Sequence, residues 1–133
     1  MEPLIATDIE TDLIVALTAA LPGVHVSDRV PQTRPAKYVR INRIGGNDSL
    51  LVQERPLVMV ESWARAANGS SKLAGDLSRE VAAHMRAMAG TFVNKSWVYE
   101  VVLTSPVNQP DPQTDDPRYT FTAQLRTRLK EMP

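Results

Sequence analysis

The stretch that decides the fold runs from Arg118 to Leu129 and reads RYTFTAQLRTRL. Its apolar residues share one parity, and most of its polar and charged residues share the other. Because a β-strand points successive side chains to opposite faces, this alternation predicts a long strand with one face on a core. The aromatic and β-branched residues agree with a strand. The predicted core-facing residues are Tyr119, Phe121, Ala123, Leu125, Thr127 and Leu129.

A long, proline-rich and acidic loop precedes this strand. Proline fixes φ and lacks an N–H, so the loop cannot simply extend either flanking strand. A compact domain rarely keeps a connection of this length without a use, so we treat it as a candidate contact element. Its aspartates lack the glycine and final glutamate of an EF-hand, and a solvated loop is favoured over a metal site. The loop contains Pro106, Pro110, Asp111, Pro112, Asp115, Asp116 and Pro117.

Length and composition bound the possible functions. The chain has 133 residues, which predicts one domain over residues 1–133. Fifteen Lys and Arg residues balance fifteen Asp and Glu residues, so overall charge gives no sign of a protein that coats nucleic acid. The absence of cysteine excludes disulfides and thiolate sites. No apolar run approaches the roughly 20 residues that cross a bilayer, and Met1 to Ile5 do not resemble a signal peptide. We expect a soluble protein that matures in the cytoplasm of the cell that makes it.

The first predicted helix is unusual on the side opposite its core stripe. It is predicted to begin at a capping box, Thr7–Glu10, and to end at Pro22-Gly23. Its core stripe comprises Ile9, Leu13, Leu17, Ala20 and Leu21. The opposite side carries Thr11, Val15 and Ala19, where a solvated helix normally carries charge. Two interpretations stay open: small residues on a surface need no explanation, or another subunit covers this side.

A series of strands is predicted after this helix. A short edge strand is expected over residues 24–27, and the alternation from Lys37 to Ile44 predicts a second strand. Gly45–Asp48 is typical of a turn. The return strand is predicted over residues 50–52 and 57–63, with a bulge or an edge at Pro56.

A second helix and a further strand complete the pattern. Asn68–Ser71 is predicted to cap the helix, which runs to about Ala89 with Gly90 as its stop. Its apolar stripe consists of Leu73, Leu77, Val81, Met85 and Met88, and it also contains His84, which we interpret as a hydrogen-bonded core or rim residue. The nearly continuous apolar sequence from Trp97 to Thr104 predicts an inner strand covered on both faces.

The order of these elements indicates the fold class. Runs of strands without strict βα alternation favour an α+β fold. We predict a mostly antiparallel sheet of four to five strands with two main helices packed on one face.

The sequence offers little for catalysis. His25 and His84 are its only histidines, and neither has the spacing of a metal-binding motif. Gly45-Gly46 lacks the pattern of a phosphate loop or a dinucleotide site. We therefore expect no catalytic residues, no metal and no cofactor, and we do not expect an enzyme.

Three segments together resemble a known family. They are the run from Tyr38 to Gly46, the run from Pro56 to Arg65 that leads into the second helix, and the run from Pro110 to Leu125. In this order they resemble the tail terminator proteins of long-tailed, siphovirus-type bacteriophages, particularly those of actinobacterial phages. The resemblance covers about residues 30–129, and its weight comes from the combination of segments rather than from one motif.

The resemblance implies a structural role in a virion. Family members are small α+β subunits that form a hexameric ring on the head-proximal end of the tail tube. The ring ends tube polymerisation and offers a surface to the head-completion or connector protein, and DNA passes through its channel without sequence-specific binding. The implied partners are further copies of the chain, the tail tube protein and the head-completion protein. The implied location is the tail neck of a virion that assembles in the host cytoplasm. No functional residue carries over, because the family has no catalytic motif.

Two other readings remain open. The chain is also compatible with another neck component, such as a head-completion protein or adaptor, which shares its size and bland composition. A different class is a small ligand-binding α+β domain or an enzyme, which would need a pocket with convergent polar groups.

The polar face of the terminal strand is a further candidate for contact with another subunit or with DNA. Arg118, Arg126 and Arg128 lie on it. It is either a solvated face, a contact with the acidic loop of the next subunit, or a lining of the channel that touches DNA phosphates. We favour the subunit contact, because a passage for moving DNA should not hold the phosphate backbone tightly.

Overall fold

A computed structural model describes residues 3–50, 52–65 and 70–133. The elements, in chain order, are β1 Leu4–Ile5, α1 Ile9–Ala20, β2 His25–Ser27, β3 Lys37–Leu50, β4 Gln53–Ala64, α2 Ser71–Arg86, β5 Thr91–Val93, β6 Ser96–Leu103, β7 Val107–Asn108, β8 Arg118–Arg128 and β9 Lys130–Glu131.

The predicted terminal strand, β8, lies inside the main sheet. The strand order is β2-β3-β4-β8-β6-β5, and β7 also pairs with β8. Both long neighbours of β8 are antiparallel to it, with Val60 opposite Phe121 in β4 and Val101 opposite Leu125 in β6. The alternation holds in the middle of the strand, where Phe121, Ala123 and Leu125 are buried. β8 is therefore a central strand of this sheet.

Both helices lie on one face of the sheet. The core cluster joins Leu13 and Leu17 of α1 and Leu77 and Val81 of α2 to the inward side chains of the strands. We call this the helix face, and the opposite side of the sheet the outer face. The predicted α+β fold with two helices on one face is confirmed.

The predicted number of strands was too low. The main sheet has seven strands within the described residues, rather than four to five. β5 and β7 were missed because strands of three and two residues are too short to show an alternating pattern. The sheet is mostly antiparallel, but β2 runs parallel to β3. A separate two-stranded sheet pairs β1 with β9.

The first helix begins one residue later than predicted. Asp8 is the N-cap, and its carboxylate accepts the Thr11 amide at 3.2 Å. Thr7 is buried instead, and Glu10 accepts the Arg43 amide at 2.6 Å, which ties α1 to β3. The predicted capping box does not form, because Asp8 is the N-cap and aspartate is preferred over threonine at this position.

The predicted turn at Gly45–Asp48 is part of a strand. β3 continues through it to Leu50, so Gly46 pairs with Pro56 in β4. The pairing is irregular after Arg43, and this bulge lets β4 run unbroken from Gln53 to Ala64 through the proline. The hairpin therefore closes later, between Leu50 and Gln53, and Leu51 lies outside the described residues.

The second helix and the strand after it also differ in detail from the prediction. Ser70 is the N-cap of α2, and the predicted cap residues Asn68 and Gly69 lie outside the described residues. The helix ends at Arg86, earlier than Ala89, because the chain turns into β5. β6 is only half-buried rather than covered on both faces: Val102 keeps 55% of its surface exposed.

Gly46 yields a test of the β3–β4 register. Its φ is +124°, and a Cβ there would lie 2.4 Å from the Arg55 carbonyl oxygen and 2.8 Å from the Pro56 Cα. Gly46→Ala should therefore lower the free energy of unfolding by about 1–3 kcal/mol. Gly45→Ala is the matched control, because a Cβ at Gly45 meets nothing within 4 Å, and the change should be neutral or stabilising by up to about 1 kcal/mol. Urea unfolding measures both values, and equal losses would contradict this register.

Candidate functional site

The predicted contact residues lie in three separate places. Thr11, Val15 and Ala19 are on the exposed side of α1. The loop of residues 104–117 and Arg118 lie at the beginning of β8, and Arg126 and Arg128 lie near its end. The loop and the two distal arginines belong to the outer face, whereas α1 covers the helix face.

The outer side of α1 is open. Val15 keeps 47% of its surface exposed, and Ala19 is exposed too. Thr11 has a local role, because its hydroxyl donates to the Asp8 carboxylate at 2.8 Å in the N-cap. Contact of this side with another subunit stays a prediction.

The acidic loop is fastened to the body of its own chain. Asp111 accepts the Trp63 indole N–H at 3.1 Å. Asp116 lies 3.1 Å from Arg34 and 3.3 Å from Arg65. Within the loop, the Asp111 amide donates to the Asp116 carbonyl and the Asp115 amide donates to the Asp111 carbonyl. The loop is therefore held in one shape by its own domain.

A buried carboxylate organises the sheet beneath this loop. Glu61 in β4 has a side chain that is only 3% exposed, and it lies 2.5 Å from Arg40 in β3 and 3.0 Å from Arg118 in β8. Both guanidiniums are within 6 Å of the Trp63 ring, at 5.9 and 5.8 Å. Tyr38 stacks on the same ring with centroids 4.6 Å apart. Burial raises the pKa of the Tyr38 phenol. Arg118 is thus held within its own subunit.

A cavity of about 270 Å³ lies beside this cluster. It is lined by Val30, Arg34, Arg40, Trp63, Asp111, Pro112, Gln113 and Arg118. The charged groups of this lining all have partners in the chain, which are Glu61, Asp116 and the Trp63 indole. The cavity therefore belongs to the network that fastens the loop.

The Asp111 carboxylate shows how the loop depends on charge. Burial by itself raises its pKa, but hydrogen bonds from the Gln113 amide and the Trp63 indole, and the nearby Arg118 charge, outweigh burial and lower the pKa below 3.8. The ionised form is thus the one that the folded loop stabilises.

A second cluster lies on the outer face at the other end of β8. Phe92 and Trp97 meet edge to face with centroids 4.9 Å apart, and Tyr99 continues the aromatic series at 6.2 Å from Trp97. The Arg126 guanidinium lies 5.1 Å from the Tyr99 ring centroid, and that of Arg128 lies 5.7 Å from both Trp97 and Tyr99. We call these five residues the aromatic–arginine patch.

Part of the aromatic–arginine patch is exposed to solvent. Phe92 keeps 65% of its surface exposed. Arg126 has a weak partner, Glu100 at 3.9 Å, and Arg128 donates to the Tyr99 hydroxyl at 3.0 Å. Among the described residues no carboxylate pairs with Arg128. An exposed surface rich in Trp, Tyr and Arg is typical of a protein contact.

Sequence reasoning found only part of these clusters. It named Arg118, Arg126 and Arg128 but missed Glu61 and the aromatic trio of the patch. Glu61 is the one charged residue in the run from Leu57 to Ala64, and a lone acid inside a strand pattern is a usable signal for a buried ion pair. Trp97 and Tyr99 stand two residues apart in the predicted strand, which is a signal for one shared face, but Phe92 had no signal because β5 was not predicted.

The described ranges show neither a clustered metal site nor a membrane-spanning helix. They contain no group of three or more His, Cys, Asp or Glu side chains arranged to hold a metal ion. None of their helices has the length and apolarity needed to span a membrane.

Comparison with known proteins gives a likeness of fold. No protein-family model matches the chain, and no curated protein matches it. Twelve chains of solved structures do match. One is a chain from the virion of a native gene transfer agent particle, with a TM-score of 0.57, 13% identity, and coverage of 89% of this chain and 84% of that chain. The two chains therefore share a fold over most of their lengths.

The lowered pKa of Asp111 predicts how loop fastening varies with pH. A carboxylate whose pKa is lower in the folded state stabilises the fold above its unfolded pKa, and that contribution is lost as pH falls through the folded value. Asp111→Asn should therefore lower the free energy of unfolding by about 1 kcal/mol at about pH 7. The difference from the wild type should shrink below the ordinary pKa of 3.8.

Urea unfolding followed by tryptophan fluorescence at several pH values measures this difference. Asp115→Asn is the matched control, since the described residues offer the Asp115 side chain no hydrogen bond or ion pair, and it should be neutral at each pH. A deficit for Asp111→Asn that stays constant down to about pH 2 would contradict the proposed fastening.

Proposed function

We propose that the chain is a structural subunit of a tailed phage-like particle, and that it caps the head-proximal end of the tail tube. The observation that carries this proposal is the fold shared with a chain of the gene transfer agent virion over 89% of this chain. That shared fold supports the structural part of the proposal, and the resemblance of the three sequence segments to tail terminators supports the finer role at the end of the tail tube.

The pairing of the charged side chains and the balanced composition support a structural role. The cavity on the outer face is lined by charged groups that have partners in their own chain, so it offers a small ligand few free polar contacts. Equal numbers of acidic and basic residues suit a channel through which DNA passes without being held. We therefore propose a ring, most simply a hexamer, in the neck of a virion assembled in the host cytoplasm. Its partners would be further copies of the chain, the tail tube protein and the head-completion protein.

A ring requires two different contact surfaces on each subunit. A head-to-tail contact closes only if its rotation closes, and a terminator must stop growth rather than propagate it. The exposed side of α1 and the outer face of the sheet lie on opposite sides of the chain, so they are candidates for different neighbours. We propose that the Thr11, Val15 and Ala19 side meets either the next subunit or the tube.

Tail length tests the proposed function. Particles made without this chain should carry abnormally long tail tubes in negative-stain electron microscopy, and expression of the wild-type chain in trans should restore normal length. Tails of normal length that fail to join heads would instead indicate a neck adaptor. Intact particles of normal shape would contradict a structural role in the neck.

Val15 tests the α1 surface within that function. Val15→Glu should leave the isolated chain as stable as the wild type to about 0.5 kcal/mol, because the side chain is half-exposed. In an interface without a partner, the same charge costs several kcal/mol, so assembly should fail and tails should lengthen. Ala83→Glu on the exposed side of α2 is the matched control. Normal tail length with Val15→Glu, measured by electron microscopy, would exclude this surface from the assembly.

A further inference from the structure

The acidic loop and the aromatic–arginine patch are two complementary surfaces that one subunit cannot bring together. The loop precedes Arg118, and the patch includes Arg128, so β8 separates them. Ten residue steps of a strand span about 33 Å. Both lie on the outer face, but any contact between them must join two copies of the chain.

The groups left free on each surface match. Arg128 pairs with no described carboxylate, and the Asp115 side chain has no described partner either, unlike Asp111 and Asp116. Asp115 has a positive φ of 59° and is exposed at the tip of the fastened loop. Among the described residues, Arg128 on the patch and Asp115 on the loop thus have no charged partner.

The apolar groups match as well. Pro110 and Pro112 are exposed on the loop, and the patch offers the Phe92, Trp97 and Tyr99 rings. Proline rings offer apolar surface that can pack on aromatic rings, and a loop that is already rigid loses little entropy on binding. The internal hydrogen bonds of the loop and its fastening to Trp63, Arg34 and Arg65 add to that rigidity.

We propose that the loop of residues 109–117 of one subunit docks on the aromatic–arginine patch of the next, with Asp115 facing Arg128. The contact itself stands on the two surfaces, and its head-to-tail direction rests on the proposed ring. Loss of this contact would remove one interface of the assembly while leaving each subunit folded.

Cross-linking can test this contact directly, because the chain has no cysteine of its own. The variant Thr114→Cys with Lys95→Cys places one thiol beside Asp115 and one in the turn between β5 and β6, and both positions are exposed. Treatment with a short bismaleimide, on isolated tails and on concentrated purified protein, should give a ladder beyond the dimer on a denaturing gel. Thr114→Cys with Glu80→Cys on α2 is the control pair and should give at most one-tenth of the ladder.

Charge exchange identifies the contact within the cross-link. In the Thr114→Cys, Lys95→Cys background, Arg128→Glu should lower the ladder yield about tenfold, since it places two carboxylates together. Adding Asp115→Arg should restore most of the yield. Arg86→Glu, an exposed change on α2, should leave the yield unchanged. Thermal unfolding by circular dichroism should show that each variant stays folded.

The other possible results contradict either the proposed contact or the proposed function. Absence of a ladder in both preparations, or a product that stops at the dimer, would overturn the head-to-tail contact. So would quenching of tryptophan fluorescence by duplex DNA that Arg128→Glu abolishes, because the patch would then bind phosphates. Overlong tails without the chain, together with no ladder, would leave the proposed function intact. Tails of normal length together with a ladder would overturn the function and keep the contact.

Discussion

The Glu61 carboxylate holds the outer face of this protein together. It lies on β4 between two strands that each supply one arginine, Arg40 from β3 and Arg118 from β8. A carboxylate that is almost fully buried is costly unless its charge is paired and its oxygens accept hydrogen bonds. Here each oxygen has its own guanidinium. The pairing fixes three adjacent strands and brings both cations beside the Trp63 ring, so the platform under the loop depends on it.

The loop above this platform is held in place by Trp63, Arg34 and Arg65. The indole N–H reaches Asp111, while Asp116 is reached by Arg34 and Arg65 from two further segments. A proline-rich loop of this length would ordinarily sample many conformations, and each anchor removes part of that freedom before any partner arrives. The charges used as anchors are no longer available outside the subunit. This division explains why an acidic loop can present essentially one free carboxylate at its tip.

The parts of the fold that could be predicted from the sequence are those whose pattern of apolar residues extends over many positions. The alternation in β8 and the apolar stripes of both helices each extend over ten residues or more, and all three took their expected places. The failures were local. A Gly-Gly pair is typical of a turn, but β3 continues through it, with an irregularity after Arg43 and with Gly46 opposite Pro56. The contacts of the candidate site depend on strand order, since Glu61 meets its arginines only because β4 lies between β3 and β8. Residue spacing along one strand carries no information about such neighbours.

The same strand order explains why the arginines of β8 have different fates. Arg118 lies opposite Trp63 and beside Glu61, under the loop, so its charge is paired within the chain. Arg128 lies opposite Gln53 at the other end of β8, and its guanidinium lies over the Trp97 and Tyr99 rings. A guanidinium over aromatic rings keeps its hydrogen-bonding edge and most of its charge for an incoming acid. Along one strand, the arginine at one end therefore pairs with a buried carboxylate, whereas the arginine at the other end stays exposed beside aromatic rings.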